Sequence, residues 1–283
     1  MTDVPKPLFD TVGLTEPGKR WLAELPRRVA ALANIWQLRL GAPFEEEASA
    51  AWVARRTRRS GERLVLKVGF PHMEAEQEID GLLYWDADPT VTVIEYDHDA
   101  NAMLLEDCQQ GTTLRQLPET EQDVVIARLL RRLWRVPTPP HNFRTLRTMI
   151  EYWIDEAQAQ RAQWLDVGLA DQGIETYREL LRTNVPEVLL ATDLHAGNVL
   201  RAEREPWLVI DPKPFVGDAC YDATQHLLNC RERLAKQPMQ LISTIADLLQ
   251  VDGERVRAWT FARLATQSGE READRAIARV LVA

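Results

Sequence analysis

The spacing of apolar positions changes part-way along the chain, and the change divides it into a strand-rich first part and a helix-rich remainder. Residues 34–40 read as a strand that ends at the turn Gly41-Ala42-Pro43. Residues 51–55 and 63–68 read as two more strands, joined by a polar turn around Ser60-Gly61. After Pro71 the spacing lengthens. In 74–85 Ile79, Leu82 and Leu83 fall at helical intervals, and β-type composition returns in 90–96 and 102–105. The predicted order is βββαββ.

Past a break in 107–113, residues 120–136, 146–165 and 172–183 carry apolar side chains every three or four positions and read as helices, the first pair punctuated by Pro137, Pro139 and Pro140. Short β-like runs at 188–190, 199–200 and 207–210 interrupt the series before helices resume from about Tyr221. The chain reads as an α+β protein of two parts, 1–107 and 108–283, with no internal repeat.

Composition narrows the function classes. With 283 residues, 45% of them hydrophobic and 27% charged, the chain has material for a folded core. The net charge of −9 argues against nucleic acid as a partner. The local run Arg55, Arg56, Arg58 and Arg59 reads as a solvated loop edge. No apolar stretch has the roughly 18 residues that a membrane span needs, and the N-terminus lacks the basic start and apolar run of a signal peptide. Cys108, Cys220 and Cys230 leave one thiol over however they pair, so a reducing, cytoplasmic setting is expected. Cys220, His226, Cys230 and His195 match no common zinc spacing. No feature calls for an obligate protein partner.

The chemistry gathers in the β-like interruptions. There the chain reads Asp193-Leu194-His195-Ala196-Gly197-Asn198, followed by Asp211-Pro212-Lys213. Phosphoryl transfer from a nucleotide needs a carboxylate to receive the acceptor's proton and oxygen ligands to hold Mg²⁺ against the phosphates. Asp193, Asn198 and Asp211 supply those groups, and one amide oxygen with one carboxylate is enough protein ligation for Mg²⁺. Lys67 lies among apolar residues in a strand, where burial demands an anionic partner, either Glu78 or Glu74 on the following helix.

With D-x-H-x-x-N at 193–198 and Ile210-Asp211-Pro212 downstream, the chain resembles the kinase superfamily, specifically the aminoglycoside phosphotransferase family. The run from Trp207 to Cys230 is similar to the branch holding streptomycin 6-phosphotransferases and hydroxyurea-resistance kinases. The similarity is strong over 189–230, moderate over 41–111 and weak in the C-terminal helices.

The resemblance implies a bilobal protein-kinase-like fold, with an N-terminal five-stranded antiparallel sheet plus one helix, a hinge near Cys108, and a mainly helical C-terminal lobe. It implies Asp193 as catalytic base, Asn198 and Asp211 as Mg²⁺ ligands, and ATP as co-substrate. It also implies Lys67, oriented by Glu78, on the nucleotide's α and β phosphates, and the backbone of 105–108, with Glu106 and Cys108, beside the adenine. His195 and Asp222 would support the catalytic loop. Cys108 reads as an inert thiol. The acidic loop of 41–49, with Glu45, Glu46 and Glu47, stands where protein kinases carry glycines, and Thr192 stands where the family carries Gly.

The expected activity is phosphorylation of a small hydroxylated, cationic acceptor, an aminoglycoside such as streptomycin, giving antibiotic resistance. Candidate carboxylates for its cations are Asp155, Glu156, Asp218 and Glu232, although each reads more simply as an ordinary surface charge. Trp153 and Tyr221 either stack on a sugar ring or belong to the core. Lys213 either approaches the transferred phosphate or pairs with Asp211 or Asp218. The alternatives are a kinase for hydroxyurea or another metabolite, and a silent nucleotide-binding regulatory module, which Thr192 and the acidic loop favour.

Overall fold

The computed structural model describes residues 3–39, 41–44, 50–108, 111–267 and 271–282. Glu45, Glu46 and Glu47 lie outside them. Contacts divide the chain into two compact units, one of Met1–Gly111 with Ala202–Arg204, the other of Thr112–Arg201 with Glu205–Ala283.

The first unit opens with two helices that the strand-rich reading did not foresee, α1 (Lys6–Val12) and α2 (Glu16–Ile35). Proline and glycine ordinarily break helices, yet Pro17 sits in the first turn, where its missing N–H costs nothing. Thr15 caps the same turn, its Oγ1 accepting from Gly18 N at 3.1 Å. Pro26 is carried inside the helix because Trp21, Leu22, Leu25, Val29 and Leu32 bury one continuous face. Asn34 and Ile35 finish α2, so only Leu38–Arg39 of the expected first strand forms β1.

β2 (Ala51–Arg58), β3 (Arg63–Gly69), α3 (Glu78–Trp85), β4 (Val93–Asp97) and β5 (Ala102–Glu106) follow. The strands make an antiparallel sheet of order β1-β2-β3-β5-β4. Along β3, Leu64, Leu66 and Val68 enter the same core as the apolar faces of α1 and α2. Strand alternation turns Lys67, which pairs in register with Val53 and Met103, to the other face. Of the arginines expected at a solvated edge, Arg59 is exposed in the turn after β2, but Arg55, Arg56 and Arg58 are strand residues. Arg56 is buried with its guanidinium 4.8 Å from the Trp52 ring centre, Arg55 pairs with Asp107, and Arg58 reaches Glu62 and Glu95.

The second unit contains α4 (Glu119–Leu133), α5 (Leu146–Ala159), α6 (Val167–Arg182), β6 (Glu187–Leu190), β7 (Val199–Leu200), β8 (Leu208–Val209), β9 (Phe215–Asp218), α7 (Ala219–Asn229), α8 (Arg231–Lys236), α9 (Pro238–Leu249), α10 (Gly253–Gln267) and α11 (Glu272–Val282). β9 was not legible as a strand. It is four residues long and contains Gly217, and its conformation comes from antiparallel pairing with the distant β6. Helix α10 is buried from Thr260 to Thr266, and Tyr221 stands edge-on to its Trp259 at 5.4 Å. Tyr221 is therefore core, with no exposed surface. Among the described residues no helix is long and apolar enough to cross a membrane.

Gly18 marks a close approach of α1 to α2, because a Cβ there would stand 1.7 Å from the carbonyl oxygen of Val12. Backbone cannot swing aside as a side chain can, so Gly18→Ala is expected to destabilise the protein by roughly 1–3 kcal/mol. A fall in urea midpoint checks this, and an unchanged midpoint would show that α1 is not docked in this way.

Candidate active site

In the first unit, β3 and α3 bring Lys67 and Glu78 together, with Nζ 2.6 and 2.7 Å from the two carboxylate oxygens. Both side chains are under a tenth exposed. Glu78 at the start of α3 is thus the partner, and Glu74 belongs to the short 3₁₀ turn before it. Removing either member would strand a buried charge. Glu106, at the end of β5, accepts from Thr92 Oγ1 and receives Arg204, whose Nη groups also donate to the carbonyls of Ala87 and Thr90. Arg204 is what ties Ala202–Arg204 to this unit. Burial pushes the Cys108 thiol up to about 12, with the charges of Glu106 and Asp107 adding to the effect, so it stays protonated and unreactive.

In the second unit, the pairing of Leu190 with Phe215 carries the ends of β6 and β9 past one another, which sets Asp193 beside Lys213. Lys213 N donates to Ala191 O at 2.8 Å, and Thr192 Oγ1 donates to Lys213 O at 2.6 Å. Asp222 on α7 is 1% exposed and accepts from the N–H groups of Ala191 (3.0 Å) and Thr192 (2.7 Å) and from Trp134 Nε1 (3.0 Å). Thr192 itself has φ 46, in the left-handed region. A non-glycine residue there costs ~1–2 kcal/mol, and its two hydrogen bonds, N–H to Asp222 and Oγ1 to Lys213 O, offset that cost. A glycine would fit the backbone without penalty but could not make the Oγ1 bond.

The Asp193 carboxylate holds one donor on each oxygen, Gln225 Nε2 on Oδ1 at 2.6 Å and Lys213 Nζ on Oδ2 at 2.7 Å. Asp193 is thus a partner of Lys213 that the sequence reading did not weigh. His195 Nδ1 accepts from Gly197 N at 3.0 Å and lies 3.5 Å from Arg115 Nη2. Burial holds its pKa below the usual range, so the ring is a neutral loop brace with its proton on Nε2. Arg115 can approach because residue 197 is Gly: a Cβ there would be 2.7 Å from its Nη2.

The β7–β8 pairing, Val199 with Val209, continues into a hydrogen bond from Ile210 N to Asn198 O and brings Asn198 next to the chain carrying Asp211. Asn198 Nδ2 donates to Asp193 O at 2.9 Å, so the amide oxygen Oδ1 is the atom of this side chain that could serve as a ligand. A neutral amide oxygen and a carboxylate are hard donors, and together they fit a small divalent cation such as Mg²⁺.

The remaining expectations fare differently. Asp218 does not face a ligand: it is 7% exposed, caps α7 through Cys220 N, and takes Arg255 Nε and Trp259 Nε1 at 2.5 and 2.6 Å. Asp155 and Glu156 are exposed on α5, Glu156 accepting from Tyr152. Glu232 is exposed on α8, 3.8 Å from Lys236. His226 and Cys230 do meet Asp123 in a buried cluster, but Arg233 lies on the same carboxylate and burial pushes Cys230 up to about 12, which suits a structural tie. Gln225 and Arg263 were missed. Gln225 was within reach of sequence reasoning, because it lies one helical turn after Asp222 and so faces the same loop. It also lines a cavity of about 280 Å³ with Asn229, Arg263, Gln267 and Asp274.

Known proteins resemble this chain in sequence and in fold. A family model described as aminoglycoside/hydroxyurea antibiotic resistance kinase matches residues 36–275. The chain belongs to that family. This kinase is 32% identical over 277 residues to streptomycin 6-kinase of Streptomyces glaucescens, covering 93% of this chain and 89% of the relative. It is also 32% identical over 262 residues to hydroxyurea phosphotransferase of Kitasatospora aureofaciens, covering 87% and 73%. The solved aminoglycoside phosphotransferase APH(4)-Ia superposes with a TM-score of 0.59 at 17% identity, over 91% of this chain and 98% of its own. The fold is kinase-like, and the enzyme is an ATP-dependent phosphotransferase with an alcohol group as acceptor.

Burial raises the Asp222 carboxyl to about 6, against an ordinary value near ~3.9. A group raised on folding contributes stability that is complete below the unfolded value and is lost as pH rises through the folded one. Between pH 5 and pH 7.5 the urea midpoint of the wild type is therefore expected to fall relative to that of Asp222→Asn. A constant gap over that window would contradict the raised value.

Proposed function

We propose that this kinase transfers the γ-phosphoryl group of ATP to a hydroxyl of a cationic aminoglycoside, streptomycin first, and so inactivates the antibiotic. The observation that carries the reading is the doubly held Asp193 carboxylate next to the hard-donor pair Asn198 and Asp211, in a chain 32% identical to a streptomycin 6-kinase. On this reading the residues up to 107 hold the nucleotide, and 108–283 supply the catalytic loop and the acceptor site.

The acceptor oxygen attacks the γ phosphorus, the bond to the β-bridging oxygen breaks with its electron pair passing to ADP, and the acceptor proton goes to Asp193. Lys67, fixed by Glu78, takes charge on the α and β phosphates. Mg²⁺ held by Asn198 and Asp211 would supply charge neutralisation on the phosphate oxygens. The backbone around Glu106 to Cys108 takes the adenine. We assign the acceptor to the cavity beside Gln225, whose volume is close to the ~300–1,000 Å³ of small-molecule sites. The exposed Asp155, Glu156 and Glu232 are candidates for its cationic groups. A need for ATP, and three buried free thiols, fit a cytoplasmic location.

A second acceptor, hydroxyurea, is favoured by the equal identity to a hydroxyurea phosphotransferase and by the amide-rich wall of the cavity. ADP release from Mg²⁺-ATP, measured with each compound, separates the two. Streptomycin is expected to stimulate release, and Asp193→Asn to lower kcat by roughly 10²–10⁴-fold while ATP binding persists. ATP binding with no stimulation by any aminoglycoside or by hydroxyurea would support a silent nucleotide-binding module.

A further inference from the structure

Behind Asp193 stands a second charge. Arg263 on α10 is 8% exposed, and among the described residues its guanidinium meets no carboxylate. Instead Nη1 donates to Thr224 Oγ1 at 2.7 Å, Nη2 to Gln225 Oε1 at 2.8 Å, and Nε to Gln267 Oε1 at 3.4 Å. Its carbon lies 5.5 Å from the ring centre of Trp153 and 5.4 Å from that of Tyr221. The cation is therefore fixed on several sides, and one of its bonds goes to the Gln225 amide.

That placement decides which way the amide points. A guanidinium only donates, so the Gln225 atom facing it must be the carbonyl oxygen. A carboxylate only accepts, so the atom facing Asp193 must be the NH₂ group. Both demands agree with the contacts, Arg263 Nη2 to Oε1 and Nε2 to Asp193 Oδ1 at 2.6 Å. A hydrogen bond from a cation to the carbonyl draws electron density from the amide and makes its N–H a stronger donor. The second donor on the carboxylate, Lys213, is a single point charge on a flexible stem and leaves rotation of the carboxylate loosely defined.

We propose that Gln225, held by Arg263, is a positioning residue for Asp193: it fixes the carboxylate plane so that a lone pair faces the incoming acceptor hydroxyl. The inference rests on Asp193 being the base. Gln225 takes no proton and touches no reacting atom. Its effect falls on kcat, and nucleotide affinity is untouched.

Two substitutions separate positioning from mere packing. Gln225→Glu keeps the shape and the bond from Arg263, but it can no longer donate to Asp193 and sets a like charge against it. Gln225→Met keeps volume and loses both bonds. Activity is read as streptomycin-stimulated ADP release, with ADP release to water as acceptor for any acceptor-independent turnover, and Asp193→Asn runs alongside. Both variants are expected to lose roughly 10- to 100-fold in kcat with KM for ATP and for streptomycin unchanged, and Gln225→Glu to keep the wild-type melting temperature, whereas a raised KM for streptomycin at wild-type kcat would make Gln225 an acceptor contact and overturn the proposal. If Gln225→Glu is fully active while Gln225→Met is impaired, Gln225 only anchors Arg263 and the proposal is wrong. Full activity of both also overturns it while leaving the base assignment intact, provided Asp193→Asn is inactive. Normal turnover by Asp193→Asn, or no turnover by the wild type with either acceptor, overturns the parent reading and this one together.

Discussion

The Asp222 carboxylate receives the backbone N–H groups of Ala191 and Thr192 and the Trp134 indole, and the arrangement around Asp193 depends on that grip. A carboxylate with almost no exposure would be expensive if left alone, and three donors compensate for its loss of water. In return it holds the chain at the end of β6 in a turn that Thr192 would not adopt unaided. Asp193 follows directly, so a helix residue distant in sequence sets where the Asp193 carboxylate stands.

Around this point the second unit is built from short pieces that each fix one group. Two four-residue strands, β6 and β9, bring Lys213 to Asp193, and two two-residue strands, β7 and β8, bring Asn198 toward Asp211. None of these strands would persist alone, since isolated two-stranded pairs are marginal in water. Helices α4, α5 and α7 pack on β6 and β9, α10 holds Asp218 at the end of β9, and α7 and α10 carry Asp222, Gln225 and Arg263. The first unit is organised differently. There a five-stranded sheet is backed by α1 and α2, and the buried Lys67–Glu78 pair sits on the opposite face.

How much of this was legible in the sequence follows from the range of the interactions. Strands β2, β3 and β5 and helix α3 were readable because alternation and helical spacing are local signals, but those signals left Lys67 a choice between Glu74 and Glu78. The motif at 193–198 with Asp211 named the chemistry, since its residue types and spacing match what phosphoryl transfer requires. Helix α2 was missed although Trp21, Leu22, Leu25, Val29 and Leu32 recur at helical spacing; Pro17 and Pro26 argue against a helix locally, and burial of that face overrides them. Asp218 read as a surface charge because its partners, Arg255 and Trp259, lie about forty residues downstream. Strand β9 and the Arg263–Gln225–Asp193 chain depend on the same kind of distant contact, which periodicity cannot report.

The most direct test of this account is amide hydrogen exchange at Ala191 and Thr192, read together with turnover, in the wild type and in Asp222→Ala. If the buried carboxylate sets the catalytic turn, both amides are slow in the wild type. In the variant they exchange quickly, and streptomycin-dependent turnover falls by roughly 100-fold or more while the far-ultraviolet circular dichroism is kept. Fast exchange at both amides in the wild type, or near-normal turnover in the variant, would contradict it.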